Sequence, residues 1–224
     1  MAETLAVHPP ALRDLGILAR RAAGLDGTAL LRVRPRAGEP AGLARVFVTT
    51  PFGPLGCRSI AAAPGRESMV VRADAVAAAA EAAAAAGPDP GGGPVTLDCG
   101  AAADASWPGA LPPETGFELI DVVPAPVLLD LDEKARAVTR DTPTPLGPPA
   151  SLLDQEVLEV ADGDRGLRAG VRVREILALT RLGFIPAEPP AGEPVRVSAR
   201  GRWTRLDGRF GTVFSRAGFD VIAL

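Results

Sequence analysis

Apolar positions along the 224-residue chain recur with two periods. Between Pro10 and Ala23, residues Leu12, Leu15, Ile17, Leu18 and Ala22 include the i, i+3 and i+4 spacings of one helical face, and Gly24 supplies a stop. Three strand-length runs follow. Ala29–Arg34 ends at Pro35, Leu43–Thr49 ends before Pro51, and Leu55–Ile60 follows the turn Pro51-Phe-Gly-Pro54. Short spacing and Gly/Pro turns predict an antiparallel meander. Met69–Arg72 reads as a strand running into a helix over Ala73–Ala86, with Asp74 near its start and Gly87-Pro88 at its end. That helix has almost no polar face, which predicts burial or weak specification. Pro94–Cys99 is the next strand.

Ala105–Gly116 is a proline-rich loop around Trp107. Phe117–Val123 reads as a strand and passes through Pro124-Ala-Pro126 into a helix over Val127–Val138, a layout that faintly repeats the one at Met69–Val76. Thr142–Pro149 holds four prolines, which favour an extended spacer. The expected organisation is therefore an N-terminal domain over 1–141, a linker over 142–150 and a smaller C-terminal domain over 151–224. In the latter, Val157–Val160 and Leu167–Val171 flank a turn at Ala161–Gly166, and Arg174–Leu182 is a helix closed by Gly183. A last hairpin joins Val195–Arg205 to Phe210–Ser215 through Asp207-Gly208, a pair that favours a two-residue type I′ turn. That register sets Trp203 opposite Thr212 and Arg205 opposite Phe210. It gathers Val195, Val197, Ala199, Trp203, Phe210 and Phe214 on one face, and Arg196, Ser198, Arg200, Arg202, Thr204 and Arg209 on the other. The fold class is α+β: an antiparallel meander with helices, followed by a hairpin-helix-hairpin domain.

Hydrophobic residues make up 47% of the chain, ample for a core. Asn and Tyr are absent, and Lys134, Gln155 and His8 are the sole residues of their types. Such preferences follow GC-rich codons, so abundant Arg partly replaces Lys. With one His, in a segment expected to fray, a His-centred triad or a multi-His metal site is excluded. The start MAETLAVHPP lacks the pattern of a signal peptide, and the longest apolar tract, Ala75–Ala86, is interrupted by Glu81. A cytoplasmic location follows, with Cys57 and Cys99 reduced and buried as small hydrophobes.

Charge is unevenly spread. From Arg165 to Arg216 there are 11 Arg and 4 acids, whereas residues 1–164 hold 13 basic and 22 acidic residues. A basic hairpin face at Arg196, Arg200, Arg202 and Arg209 is a candidate contact for nucleic-acid phosphates, but the expected register leaves it without aromatics for base stacking. Charge alone speaks to nonspecific association, so a solvated arginine face is the simpler reading. Trp107 and Leu111, set among prolines, are candidate partner-binding anchors or staples of a long loop. Asp130, Asp132 and Glu133, with Asp121 nearby, form a short acidic cluster that reads as a solvated helix face, with Asp132 and Arg136 as an i, i+4 pair. Asp162-Gly-Asp164 lacks the downstream ligands of a calcium loop and reads as a turn. No glycine-rich phosphate loop is present. No catalytic residue, metal site or cofactor is predicted.

Two stretches carry a resemblance. One is Trp107 with Leu111-Pro-Pro-Glu-Thr-Gly-Phe117 and Val122-Val-Pro-Ala125; the other is Leu177–Phe184 with Gly201-Arg-Trp-Thr-Arg205 and Phe210–Phe214. Together they resemble uncharacterised proteins of high-GC Gram-positive bacteria, a group that carries no activity or site residues to transfer. The leading expectation is a non-enzymatic cytoplasmic binding protein with a protein partner or self-association. The alternatives are a weak nucleic-acid binder and an enzyme that uses carboxylates around Asp121, Asp130 and Cys57.

Overall fold

The computed structural model describes residues 2–36, 42–87, 92–141 and 149–217. Its chain divides into two units, Met1–Pro51 with Leu55–Ala110, and Phe52–Pro54 with Leu111–Leu224. The division expected over 142–150 is thus displaced to Ala110/Leu111. The helix over Ala125–Asp141, before the proline-rich segment, packs on the helix over Val173–Arg181 beyond it, which places both in one unit. Residues 142–148 themselves lie outside the described residues.

The first unit comprises β1 (Ala2–Val7), α1 (Pro9–Leu25), β2 (Leu30–Pro35), β3 (Leu43–Val48), β4 (Leu55–Pro64), β5 (Met69–Arg72), α2 (Ala73–Ala86) and β6 (Val95–Ala101). Its strands run in the order β5–β2–β3–β4–β1–β6, and neighbours are antiparallel. The predicted meander is β2–β3–β4. The segment expected to fray is instead β1, held between β4 and β6, with Leu5 and Val7 fully buried. Its Leu5/Val7 alternation is too short to stand out in sequence, and the two partner strands supply the order.

Helix α1 opens on Pro9 and Pro10, whose missing N–H groups cost nothing in a first turn. It buries Leu12, Leu15, Leu18, Ala19 and Ala22. Helix α2 forms on alanine propensity and buries only Ala73, Val76 and Ala80, so its apolar character is not a sign of full burial. The two helices approach closely: a Cβ at Gly16 would stand 3.3 Å from that of Ala80.

The second unit comprises β7 (Glu118–Pro124), α3 (Ala125–Asp141), α4 (Ala150–Leu153), β8 (Glu156–Asp162), β9 (Leu167–Arg172), α5 (Val173–Arg181), β10 (Pro194–Arg200), β11 (Trp203–Gly208) and β12 (Gly211–Arg216). An antiparallel sheet runs β7–β10–β11–β12, and β8–β9 is a separate hairpin. Strands β1, β5, β7 and β9 each run almost directly into a helix.

The last hairpin departs from its expected register. The run 195–205 breaks at Gly201, whose φ is +55°, so three strands replace two. Trp203 pairs with Arg216, Leu206 with Val213 and Gly208 with Gly211, which moves the turn to Arg209-Phe210. Tertiary packing overrides the local Asp-Gly preference. Phe184 is buried against this turn: a Cβ at Gly208 would lie 2.5 Å from its carbonyl oxygen, and one at Gly211 2.4 Å from its ring. The Phe210 N–H donates to the same carbonyl at 2.9 Å. Asp207 is drawn into the strand, where its Oδ1 accepts from Arg205 Nε at 2.9 Å and Thr212 Oγ1 at 2.7 Å.

The faces change accordingly. Val195, Val197, Leu206 and Val213 form the fully buried side. The other side carries Arg196, Ser198, Arg200, Trp203, Arg205, Phe214 and Arg216, because cross-strand partners share a face. Trp203 and Phe214 therefore stand with the arginines, not with the valines.

Candidate functional site

A groove in the second unit lies between α3 and α5. Residues Ala135, Arg136, Thr139 and Arg140 fall on one face of α3, and Leu177 and Arg181 lie one turn apart on α5. Phe52 completes the lining, held through its carbonyl by Arg174 Nη1 at 3.0 Å. The volume is about 690 Å³, in the range of small-ligand sites. Ala135, Leu177 and Phe52 are buried and form an apolar floor.

Asp132 organises the rim. It is 3% exposed, so it is not part of a solvated face as expected from the sequence. Its Oδ2 accepts from Arg136 Nε at 2.9 Å and pairs with Nη2 at 2.7 Å, while Arg181 Nη2 stands 3.5 Å from Oδ1. One buried carboxylate thus serves two guanidinium groups. Arg181 is correspondingly under-compensated: burial lowers its pKa, Asp132 opposes this, and the neighbouring Arg136 adds to the lowering. With Arg140 included, the charged residues of the groove's lining are three arginines above an apolar floor, and Arg136 and Arg140 also border a neighbouring cavity with Asp130, Asp132 and Glu133. Such a site favours an anionic group attached to an apolar body.

The sequence-predicted nucleic-acid residues do not form one cluster. Arg196 and Arg200 share the open face of β10. The Arg200 guanidinium donates to the Thr115 carbonyl, and Arg202 donates to the Ala217 carbonyl at 2.6 Å. Arg209 sits in the β11–β12 turn, at the other end of strands about 20 Å long. There it pairs with buried Glu193 at 2.8 Å. The residues that join the basic face are Trp203, Arg205 and Arg216. Arg216 lies 5.9 Å from the Trp203 ring centroid, and Arg205 lies 5.6 Å from that of Phe117. Strand parity finds them once the turn is set at Arg209-Phe210.

The charge asymmetry also has an internal account. Residues 1–110 carry 10 basic and 10 acidic residues, so the imbalance lies wholly within the second unit. There, residues 111–164 hold 3 basic and 12 acidic residues, against 11 and 4 in 165–216. Folding brings the two segments together in the pairs Asp132–Arg181, Asp154–Arg174, Glu159–Arg168 and Asp162–Arg165.

Trp107 and Leu111 fall in different units. Trp107 is half-buried beside Arg32, whose guanidinium is 5.7 Å from the ring centroid. Its loop is tied back through Arg66, which pairs with Asp104 and, at 2.9 Å, with Glu3. The residues considered for carboxylate chemistry are also dispersed. Cys57 is buried on β4 of the first unit, Asp121 accepts from the Val122 N–H at 2.7 Å, and Asp130 pairs with Lys134 at 2.7 Å. Cys57 and Cys99 form no disulfide, and burial pushes the Cys99 thiol up to about 12. The Asp162 carboxylate accepts the backbone N–H groups of Asp164 and Arg165, each at 3.1 Å, and serves the turn. Among the described residues no cluster of three or more His, Cys, Asp or Glu is arranged to hold a metal, and no helix is long and apolar enough to cross a membrane.

The α+β architecture is that of DNA polymerase sliding clamps. The beta subunit of DNA polymerase III from Thermotoga maritima aligns with 98% of this chain at a TM-score of 0.51 and 14% identity; the chain spans 66% of that protein's length. The beta chain from Streptococcus pneumoniae gives 0.51 at 7% identity, over 99% of this chain and 67% of its own. The sliding clamp from Pseudomonas aeruginosa gives 0.50 at 12%, over 99% and 66%. By sequence, residues 1–109 match the family DUF8010 and residues 112–220 match DUF8185, each described as a domain of unknown function. These matches accord with the expected likeness to uncharacterised proteins. No curated protein matches the chain.

Proposed function

We propose that this chain is a non-catalytic cytoplasmic binding protein of a high-GC Gram-positive bacterium. In this reading the α3–α5 groove receives a protein segment that carries carboxylates beside an apolar anchor. The observation that carries it is the pairing of an apolar floor with Arg136, Arg140 and Arg181 around a single buried carboxylate. Carboxylate–guanidinium contacts in a partly desolvated groove give affinity and orientation, and the floor supplies the anchor. A fold shared with clamp subunits of a polymerase fits a binding role better than a catalytic one.

A second reading, nucleic-acid binding, gains support from the corrected register. It unites Trp203 with Arg196, Arg200, Arg205 and Arg216 on one face, the combination that single strands use for stacking and phosphate contact.

Fluorescence anisotropy separates the two. A labelled octapeptide of alternating Glu and Leu is titrated against the protein, its Arg140→Ala and Thr139→Glu variants, and an Arg200→Ala/Arg216→Ala variant; a labelled single-stranded oligonucleotide serves as the second probe. The groove reading expects the peptide to lose about tenfold or more with the first two variants and nothing with the third. Peptide binding that ignores Arg140 and Thr139 ends that reading. Oligonucleotide binding that falls steeply with salt and is lost in the third variant puts the basic face of β10–β12 in its place. Sedimentation of the protein alone tests whether a second copy supplies the segment.

A further inference from the structure

The first unit's sheet has one face on its helices and one turned away from them. On the inner face Leu31, Val33, Val46 and Val48 are fully buried. Strand alternation puts Arg32, Arg34 and Arg45 on the outer face of β2 and β3. The register pairs Arg34 directly with Arg45, and Arg45 directly with Ser59 of β4. Paired residues on antiparallel strands project to the same side with Cβ atoms about 4.5–5.5 Å apart, and like charges placed so repel. Sheets normally answer such a pair with a carboxylate on a neighbouring strand. Among the described residues, neither the Arg34 nor the Arg45 side chain has a hydrogen-bond or ion-pair partner, and Arg45 Nη1 is buried without an acceptor. Arg32, one pleat along, is engaged elsewhere: its Nε donates to Ser68 Oγ at 3.0 Å and its guanidinium lies over Trp107.

We propose that Arg34, Arg45 and Ser59 form a site for a tetrahedral oxyanion of the phosphate type, either the free ion or a phosphate monoester. Three donors on adjacent strands share this face: each guanidinium can serve an oxygen of the ligand, and the Ser59 hydroxyl a third. The ligand neutralises the like-charge pair that the register sets side by side.

Calorimetric titration with inorganic phosphate, on the full chain, tests this. Arg34→Gln and Arg45→Gln each weaken binding about tenfold or more, Ser59→Ala weakens it a few-fold, and Arg168→Gln on the β9 surface leaves it unchanged. Thermal unfolding in phosphate-free buffer guards against a trivial loss. Arg34→Gln unfolds at the same or a higher temperature than the parent, since it relieves repulsion, and no longer gains from added phosphate. Phenyl phosphate run in parallel assigns the source: tighter binding than inorganic phosphate marks a monoester, and equal binding marks the free ion. Three results overturn the proposal. They are no binding at millimolar phosphate, affinity unchanged in both arginine variants, or Arg34→Gln and Arg45→Gln melting lower than the parent without phosphate.

Discussion

The two units solve one packing problem with different chemistry. Each lays two helices that follow strands against an antiparallel sheet. In the first, α1 and α2 meet through small residues, with Gly16 against Ala80. In the second, α3 and α5 meet through Asp132, Arg136 and Arg181. Small-residue contact needs no charge, and the first unit carries equal numbers of acids and bases. The ionic contact draws on a chain segregated into an acidic run and a basic run. It also leaves guanidinium groups at the rim of an apolar groove. The first unit has a groove as well, of about 550 Å³ along α1 and α2, but Glu81 stands there beside Arg13 and Arg20. Adhesion between helices and the charge of the groove's rim thus share one chemistry in the second unit and are separate in the first.

The largest expected effect is at Asp132. Asp132→Ala leaves Arg136 and Arg181 facing each other and costs about 2–3 kcal/mol in urea unfolding. That is less than the full penalty of a buried pair, because Arg136 stays half in water. A cost below about 0.5 kcal/mol, the level of a surface change, would break the contrast between the units. Gly16→Val is the counterpart in the first unit. Its side chain forces α1 from Ala80, and overpacking of this kind costs about 2 kcal/mol. The same unfolding curves check it; an unchanged midpoint would mean that the helices tolerate separation.

A third expectation concerns pH. Glu175 is buried beneath the start of α5, and burial raises its pKa, against hydrogen bonds from Ser215 and from the Arg172 N–H at 2.7 Å. The folded state therefore holds this proton more tightly than the unfolded chain does. The resulting stability is complete below the usual glutamate range and is lost as pH rises through the raised value. Glu175→Gln keeps an acceptor for the Arg172 N–H and removes that slope; identical slopes for parent and variant in unfolding measured from pH 4 to 8 would exclude Glu175 as its source. The smallest effect is chemical. Cys99, pushed up to about 12 by burial, resists iodoacetamide at pH 8 in the folded protein and reacts once urea exposes it.

Much of this fold was legible along the chain. Helix α1, the β2–β3–β4 meander, the β5–α2 junction, the β8–β9 hairpin and α5 follow from local periodicity and from Gly and Pro punctuation. The failures share a physical form. Strand β1 has too few alternating positions to announce itself and is ordered by the strands on either side. The final register departs from local expectation because Asp207-Gly208 carries a strong turn preference, which Phe184 defeats by needing glycine at 208 and 211. The groove was half visible: Asp132 and Arg136 were paired by spacing, but Arg181 lies 49 positions away and nothing local connects them.

The sequence by itself determined the fold class, the helix and strand inventory in outline, the scarcity of His, and the segregation of charge between 111–164 and 165–216. These are properties of neighbours in the chain, set by backbone preferences and composition. Only the tertiary structure decided where the units divide, that Trp203 stands among the arginines, that Asp132 is buried between two guanidinium groups, and that Arg34 meets Arg45 across two strands. Each of these depends on which distant residues come within a few ångströms, and contact at that range is set by packing rather than by the order of residues along the chain.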